Sequence, residues 1–256
     1  MIETLTKSRA GRPKRAVDGE TDTRLVANQI FEAALALIDE KGISNFNIRD
    51  LAATLGVTPA AIYWHVPNRD ALISGAVDLA IRHVAGALTA RGQWQNRLRK
   101  LIRSFRDALR AHPKLAPAVA SELSYNASFD CELLDRVVRV LEDAGLKGAA
   151  LVEAFNVVIA AMCGFVTLEL STAPIDKNWE MDCRQHMNAI DGQRFPSLGR
   201  HLHALENNAF LLRWSSGIEK PLDDAFEAWI DVVVMGLERR AGKVVDGGSR
   251  DEPTVR

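Results

Sequence analysis

The chain has 256 residues, a formal net charge of −1, 47% hydrophobic residues and 25% charged ones. That balance excludes an intrinsically disordered chain and allows one large or two small buried cores. It also excludes a uniformly basic surface, so any residues that hold nucleic-acid phosphates must be concentrated locally.

Residues 1–22 are polar and aperiodic and read as a flexible arm. Within it, Lys-Ser-Arg-Ala-Gly-Arg-Pro-Lys-Arg (7–15) gathers five positive charges and no negative one. Arg12, Lys14 and Arg15 are its candidate DNA contacts, because an Arg entering a narrow minor groove meets a strongly negative potential. A solvated basic tail that adds only non-specific affinity fits the same residues. The first thirty residues hold no long apolar run, and no stretch approaches the apolar length of a membrane span. Neither a signal peptide nor a membrane partner is expected. Cys131, Cys163 and Cys183 are scattered, which points to a reducing compartment, the cytoplasm, and to no disulfide framework.

Leu25, Ile30, Phe31, Ala34, Leu35 and Ile38 predict a helix over about 24–41, stopped by Lys41-Gly42. Asn47 then caps a second helix, with Asp50 placed to reach back to it. Leu51, Ala52 and Leu55 form its apolar stripe, and Gly56 supplies a left-handed residue at its end. Thr58 caps a third helix whose first position is Pro59. Helix, Gly-containing turn, helix is the helix-turn-helix pattern, whose second helix can enter a DNA major groove. Ile62 and Trp64 are expected to pack inward against Phe31, Leu35, Leu51 and Leu55. Tyr63 and His65 then point away, with polar tips suited to phosphate oxygens. Asn68 caps a fourth helix with Leu72, Ile73, Ala76, Leu79, Ala80 and Val84 as its stripe.

Further helices are predicted near 93–111, 114–124, 128–144, 148–172, 198–212 and 221–241, with 173–197 as the largest break and 242–256 as a disordered tail. No β-alternation with hairpin turns is present. The expected fold is all-α: a three-helix helix-turn-helix domain over 23–70, then a larger helical domain over 71–241, to which the family resemblance given below assigns effector binding and dimerisation. The segments 148–172 and 221–241 leave almost no polar face. They are either central core helices or a subunit interface built as a four-helix bundle across a two-fold axis. Phe226, Trp229 and Val233 are the interface candidates.

Residues 24–72 resemble the DNA-binding domain of TetR-type transcriptional repressors. The run Leu-Gly-Val-x-x-x-x-Ile-Tyr-Trp-His-Val-x-Asn-Arg (55–69) is similar to that family's signature region, and close to the tetracycline repressors. The resemblance implies a ligand-responsive repressor that binds a pseudo-palindromic operator in double-stranded DNA as a homodimer, with the last long helices as the interface. It also implies that Tyr63, His65 and Arg69 match backbone-contact positions and that Arg49 matches a guanine-reading arginine. An Arg can make two hydrogen bonds to guanine O6 and N7, although a solvated surface charge fits Arg49 as well. Thr58, Ala60 and Ala61 are small enough to meet thymine methyls, or simply to let the helix fit the groove. Tetracycline-specific members carry Gln-Pro-Thr where this chain has Pro59-Ala60-Ala61, which implies a different operator.

A small, mostly apolar effector would bind among helices 93–172. Candidate liners are His112, Tyr125, Asn126, Phe155, Met162 and Phe165, each of which a plain core would also contain. No P-loop, Gly-x-Gly-x-x-Gly, Gly-x-Ser-x-Gly or His-Glu-x-x-His motif is present, so no catalytic residue and no cofactor are expected. Cys183 with His186, and His201 with His203, leave a metal-responsive regulator as a lesser alternative; solvated loop residues account for both pairs. A helical interaction protein with a vestigial helix-turn-helix is opposed by the intact caps, Arg49 and the basic arm.

Overall fold

The computed structural model describes residues 18–86, 91–119, 131–170, 179–205 and 222–247. All regular structure among them is helical. The basic arm with Arg12, Lys14 and Arg15, and the effector candidates Tyr125 and Asn126, lie outside the described residues.

The first helix, α1, spans Asp18–Lys41 and so begins six residues before the expected start, inside the segment read as an arm. It is stopped at Gly42, whose φ of 78° is left-handed. Helix α2 (Ile48–Leu55) starts at Asn47, whose side-chain oxygen accepts the Asp50 N–H at 3.0 Å. The reciprocal half of the expected capping box is replaced: the Asp50 carboxylate meets Lys41 Nζ at 2.6 Å and ties α2 to the end of α1. Gly56, at φ 67°, turns the chain, and Val57 N–H bonds back to Ala52 O. Thr58 Oγ1 accepts the Ala61 N–H and Pro59 opens α3 (Pro59–Tyr63), as the sequence predicts.

Helix α4 (Arg69–Gly86) is capped by Asn68, which accepts the Ala71 N–H at 2.8 Å. Its predicted stripe is buried except for half-buried Leu79, but so are Ser74, Gly75, Val77, Ile81 and Ala85. The helix is enclosed because α1 packs on one side and α5 (Trp94–Ala111) on another. Gly75 permits the α1 crossing, since a Cβ there would lie 2.3 Å from the Phe31 ring.

Helix α5 is the hub of the second domain and touches α4, α6 (Cys131–Asp143), α7 (Gly148–Glu169) and α10 (Asp223–Gly247). Leu98, Leu101, Ile102, Phe105 and Leu109 are its fully buried face. The 173–197 break is corrected: α8 (Trp179–Asn188) lies within it, and α9 begins at Pro196 and runs to Leu205. Both present mainly exposed side chains among the described residues, Met187 being the buried exception; α9 overlaps the helix expected near 198–212, whereas the apolar periodicity that marks a packed helix is missing from α8. Cys183 and His186 are therefore helical rather than in a loop. Helix α10 continues to Gly247, past the start expected for the disordered tail.

Helix α7 also corrects an expectation. It has 22 residues and is apolar enough to cross a membrane by length and composition. Its apolar residues divide between a buried face, with Ala154, Val158, Met162 and Val166, and an exposed one with Val152, Val157 and Leu168. That division is the pattern of a helix awaiting a second packing partner on its open side.

Candidate nucleic-acid interface and effector region

Helices α1 to α3 build a compact three-helix unit around Ile30, Ala34, Leu35, Ile38, Phe46, Leu51, Ala52, Ile62 and Val66. Ile62 is buried as predicted. Trp64 is not: it is 88% exposed. With only five residues in α3, Trp64 falls at the C-cap, beyond the face that Ile62 turns inward. Val66, two residues later, takes the inward position assigned to the indole. Tyr63, Trp64 and His65 consequently form one exposed aromatic and polar edge after the short helix. Thr58 and Ala60 are exposed and Ala61 half-buried at its leading end, and Arg49 is exposed on the first turn of α2. Among the described residues Arg49 has no ion-pair partner, so its guanidinium is free to meet an external acceptor.

Arg69 has a second occupation. Its guanidinium donates to Ile43 O at 2.8 Å and to Phe46 O at 3.4 Å, and it lies 5.7 Å from the centre of the Phe46 ring. It braces the loop between α1 and α2 from the start of α4. These bonds anchor one side of a planar fork that offers five donors.

The effector candidates are dispersed. Met162 is in the core, and Phe155 packs against it. Phe165 joins the interface candidates instead, 5.1 Å from Phe226 and 5.4 Å from Trp229 by ring centres. His112 faces the helix-turn-helix unit, where its Nδ1 sits 2.7 Å from Asp39 Oδ2 on α1. It lines a cavity of about 380 Å³ between α4 and α5, together with His83, Val84, Ser104, Asp107 and Ala108. The lining of this cavity includes His112 but not Phe155, Met162 or Phe165. The His112 ring follows a carboxylate, whereas Phe165 follows aromatic area.

Phe226, an interface candidate, is 1% exposed within the single chain and so has little surface of its own to offer a partner. Trp229 and Val233 are half-buried. Among the described residues, the large exposed apolar side chains on α10 are Val232, at 70%, and Met235, at 63%.

Sequence reasoning missed the polar lock that joins α5, α7 and α10. Glu169 is 0% exposed and accepts from Arg106, with Nε at 2.8 Å from Oε2. Its Oε1 also accepts the Leu222 N–H at 3.1 Å. Arg106 further meets Asp223 at 2.7 Å and lies 4.2 Å from the Phe226 ring centre. Burial acts to lower the Arg106 pKa, but the hydrogen bonds it donates to Glu169 and Asp223 outweigh it and hold the group above its ordinary value. Arg99–Asp231 and Arg103–Glu227 continue the row along α10. The bond from Arg103 keeps the Glu227 carboxyl below its ordinary range. A signal was present: Glu169 closes a helix with almost no polar residues, and a buried carboxylate demands a cation. Burial pushes the Cys163 thiol up to about 12, which makes it an inert core group.

Two family models match the chain. One, for bacterial regulatory proteins of the tetR family, covers residues 30–76, and the other, for the tetracyclin repressor-like C-terminal domain, covers 87–240. The class D tetracycline repressor of Escherichia coli is 42% identical over 88 residues, which are 34% of this chain and 40% of that protein. The class A repressor from transposon 1721 of Escherichia coli is 32% identical over 149 residues, 57% of this chain and 68% of that protein. Apo ActR from Streptomyces coelicolor shares the fold, with a TM-score of 0.66 at 20% identity over 84% of this chain and 98% of that one. ActR has also been solved with actinorhodin, where the TM-score is 0.61 at 20% identity over 84% of this chain and 98% of that one. BioQ bound to its double-stranded DNA operator has a TM-score of 0.51 at 27% identity, over 63% of this chain and 95% of that one.

Proposed function

The chain belongs to the TetR family, and from that premise we propose that it is a ligand-responsive transcriptional repressor that binds a pseudo-palindromic operator as a homodimer. The observation that carries this reading is the exposed edge formed by Arg49, Thr58, Ala60, Tyr63, Trp64 and His65 on a capped helix-turn-helix. Arg49 and the small residues of α3 read base edges, and Tyr63, His65 and the unanchored part of Arg69 hold phosphates. Trp64 adds apolar area to the same edge. The arm with Arg12, Lys14 and Arg15 supplies minor-groove or non-specific affinity. The protein works in the cytoplasm, without catalysis or a cofactor.

Fluorescence anisotropy on the DNA upstream of its own gene tests the reading. Arg49→Ala should cost about 1–3 kcal/mol and relax preference at one position in each half-site. An equal loss on operator and random DNA would show that Arg49 contacts only the backbone.

The homodimer reading is supported by the open apolar faces of α7 and α10: Val152, Val157 and Leu168 on one, Val232 and Met235 on the other. Two such pairs form a four-helix bundle across a two-fold axis. Val232→Glu should leave the chain folded, since Val232 is not in its own core, and yield monomers in analytical ultracentrifugation because a carboxylate buried in an apolar interface is costly. A folded variant that stays dimeric would place the interface elsewhere.

The effector is a small, mostly apolar molecule received by the helical domain near Met162 and Phe155; Tyr125 and Asn126 remain candidate polar partners for it. Helix α4 carries the response, because it begins at the helix-turn-helix and is enclosed by α5. A ligand that favours one tilt of α4 changes the spacing of the two recognition helices, and operator DNA must weaken that ligand by the same factor.

A further inference from the structure

Helix α4 is not the sole connection between the two domains. The segment after α5 folds back onto the end of α1, which it meets through a single 3-10 turn, Pro113–Leu115. His112 Nδ1 is 2.7 Å from Asp39 Oδ2, and Lys114 Nζ donates to Glu40 O at 2.7 Å. Asp39 lies in the last turn of a 24-residue helix, where the helix dipole is negative and a carboxylate is disfavoured. Its other oxygen, Oδ1, is buried with no hydrogen-bond partner among the described residues. His112 is thus the contact that compensates this carboxylate. The charged and titratable groups around the imidazole are Asp39 and Glu40 from α1, His83 from α4, Asp107 from α5 and Lys114 from the 3-10 turn.

We propose that Asp39–His112, reinforced by Lys114 on the Glu40 carbonyl, is a second tie between the helical domain and the helix-turn-helix unit, and that His112 is a positioning residue for operator binding. The proposal rests on the DNA-binding reading given above for its consequence, but the tie itself is a property of the free protein. Helix α4 fixes one line of attachment; a second contact on α1 removes rotation about that line. Displacement of the α5 end would then reach α1 directly. At 2.7 Å the imidazole Nδ1 and the Asp39 carboxylate are within hydrogen-bond distance, and Lys114 holds the adjacent carbonyl, so the tie has two points of attachment on α1.

Hydrogen exchange of the DNA-free protein over residues 36–46, corrected for intrinsic rates, tests this at pH 7. His112→Ala should lose protection there by roughly three- to tenfold relative to wild type. Asp39→Ala should lose it to a similar extent. His112→Asn keeps a donor at the Nδ1 position and should hold intermediate protection. A His112→Ala pattern equal to wild type would overturn the tie. Operator affinity, measured alongside, should fall in His112→Ala and recover in part in His112→Asn. Unchanged affinity in His112→Ala would overturn the positioning role. Failure of wild type to bind any specific DNA, with the exchange pattern intact, would instead reject the DNA-binding reading.

Discussion

Glu169→Ala is expected to lower stability by about 3–5 kcal/mol, because removing one partner of a buried ion pair leaves the other charge uncompensated. Arg106 is itself buried, and Asp223, which is exposed, would be left as its remaining carboxylate. The substitution also removes the acceptor of the Leu222 N–H at the start of α10. The loss should appear as a lower denaturant midpoint at pH 7, and the exchange protection of α10 should fall first. Glu169→Gln should cost less, since it retains an acceptor. The exposed Arg139–Asp135 pair is the comparison: Asp135→Ala should change stability by about 0–1 kcal/mol. A Glu169→Ala midpoint equal to that of Asp135→Ala would show that the lock contributes geometry and little energy.

The second large effect is expected at Gly75→Leu. A Cβ at this position would meet Phe31 Cδ1 and Cε1 at 2.3 Å, so the ring must leave or α1 and α4 must separate. Overpacking of this kind costs about 1–3 kcal/mol, and larger values follow where the neighbour cannot move. The functional loss should exceed the stability loss, because the α1–α4 crossing sets how the helix-turn-helix is carried by the second domain. Specific operator affinity should fall while non-specific DNA binding persists. Phe31→Ala in the Gly75→Leu background should restore part of the midpoint, a coupling that a double-mutant cycle measures directly. If Gly75→Leu melts and binds as wild type, the close crossing is not required.

The local rules in the sequence were enough to place the helix-turn-helix. Asn47, Gly56, Thr58, Pro59 and Asn68 act within three or four residues of themselves, so their capping and turn roles could be read one by one, and each recurs in the structure. The likeness of 55–69 to a known family fixed the fold class, because a helix-turn-helix of this type comes with a helical second domain. Trp64 was misplaced for a reason of the same scale. A five-residue helix has barely more than one turn, so a small error in where it ends reverses the face on which an indole lies.

What tertiary structure alone decided lies between elements distant in sequence. His112 is 73 residues from Asp39, and Arg106 is 63 from Glu169. No periodicity within one helix reports which charge on another will face it. The same holds for α7 and α10, whose apolar sequences cannot tell a residue buried in its own chain, such as Phe226, from one left open for a partner, such as Val232. Helix α8 escaped detection because an exposed helix has little apolar stripe to betray it. The sequence by itself determined the helices that bury a face, the caps that bound them and the kind of DNA-reading unit they form. The packing decided the pairing of buried charges, the faces that remain open and the second attachment of the two domains, since these depend on which surfaces three-dimensional proximity removes from water.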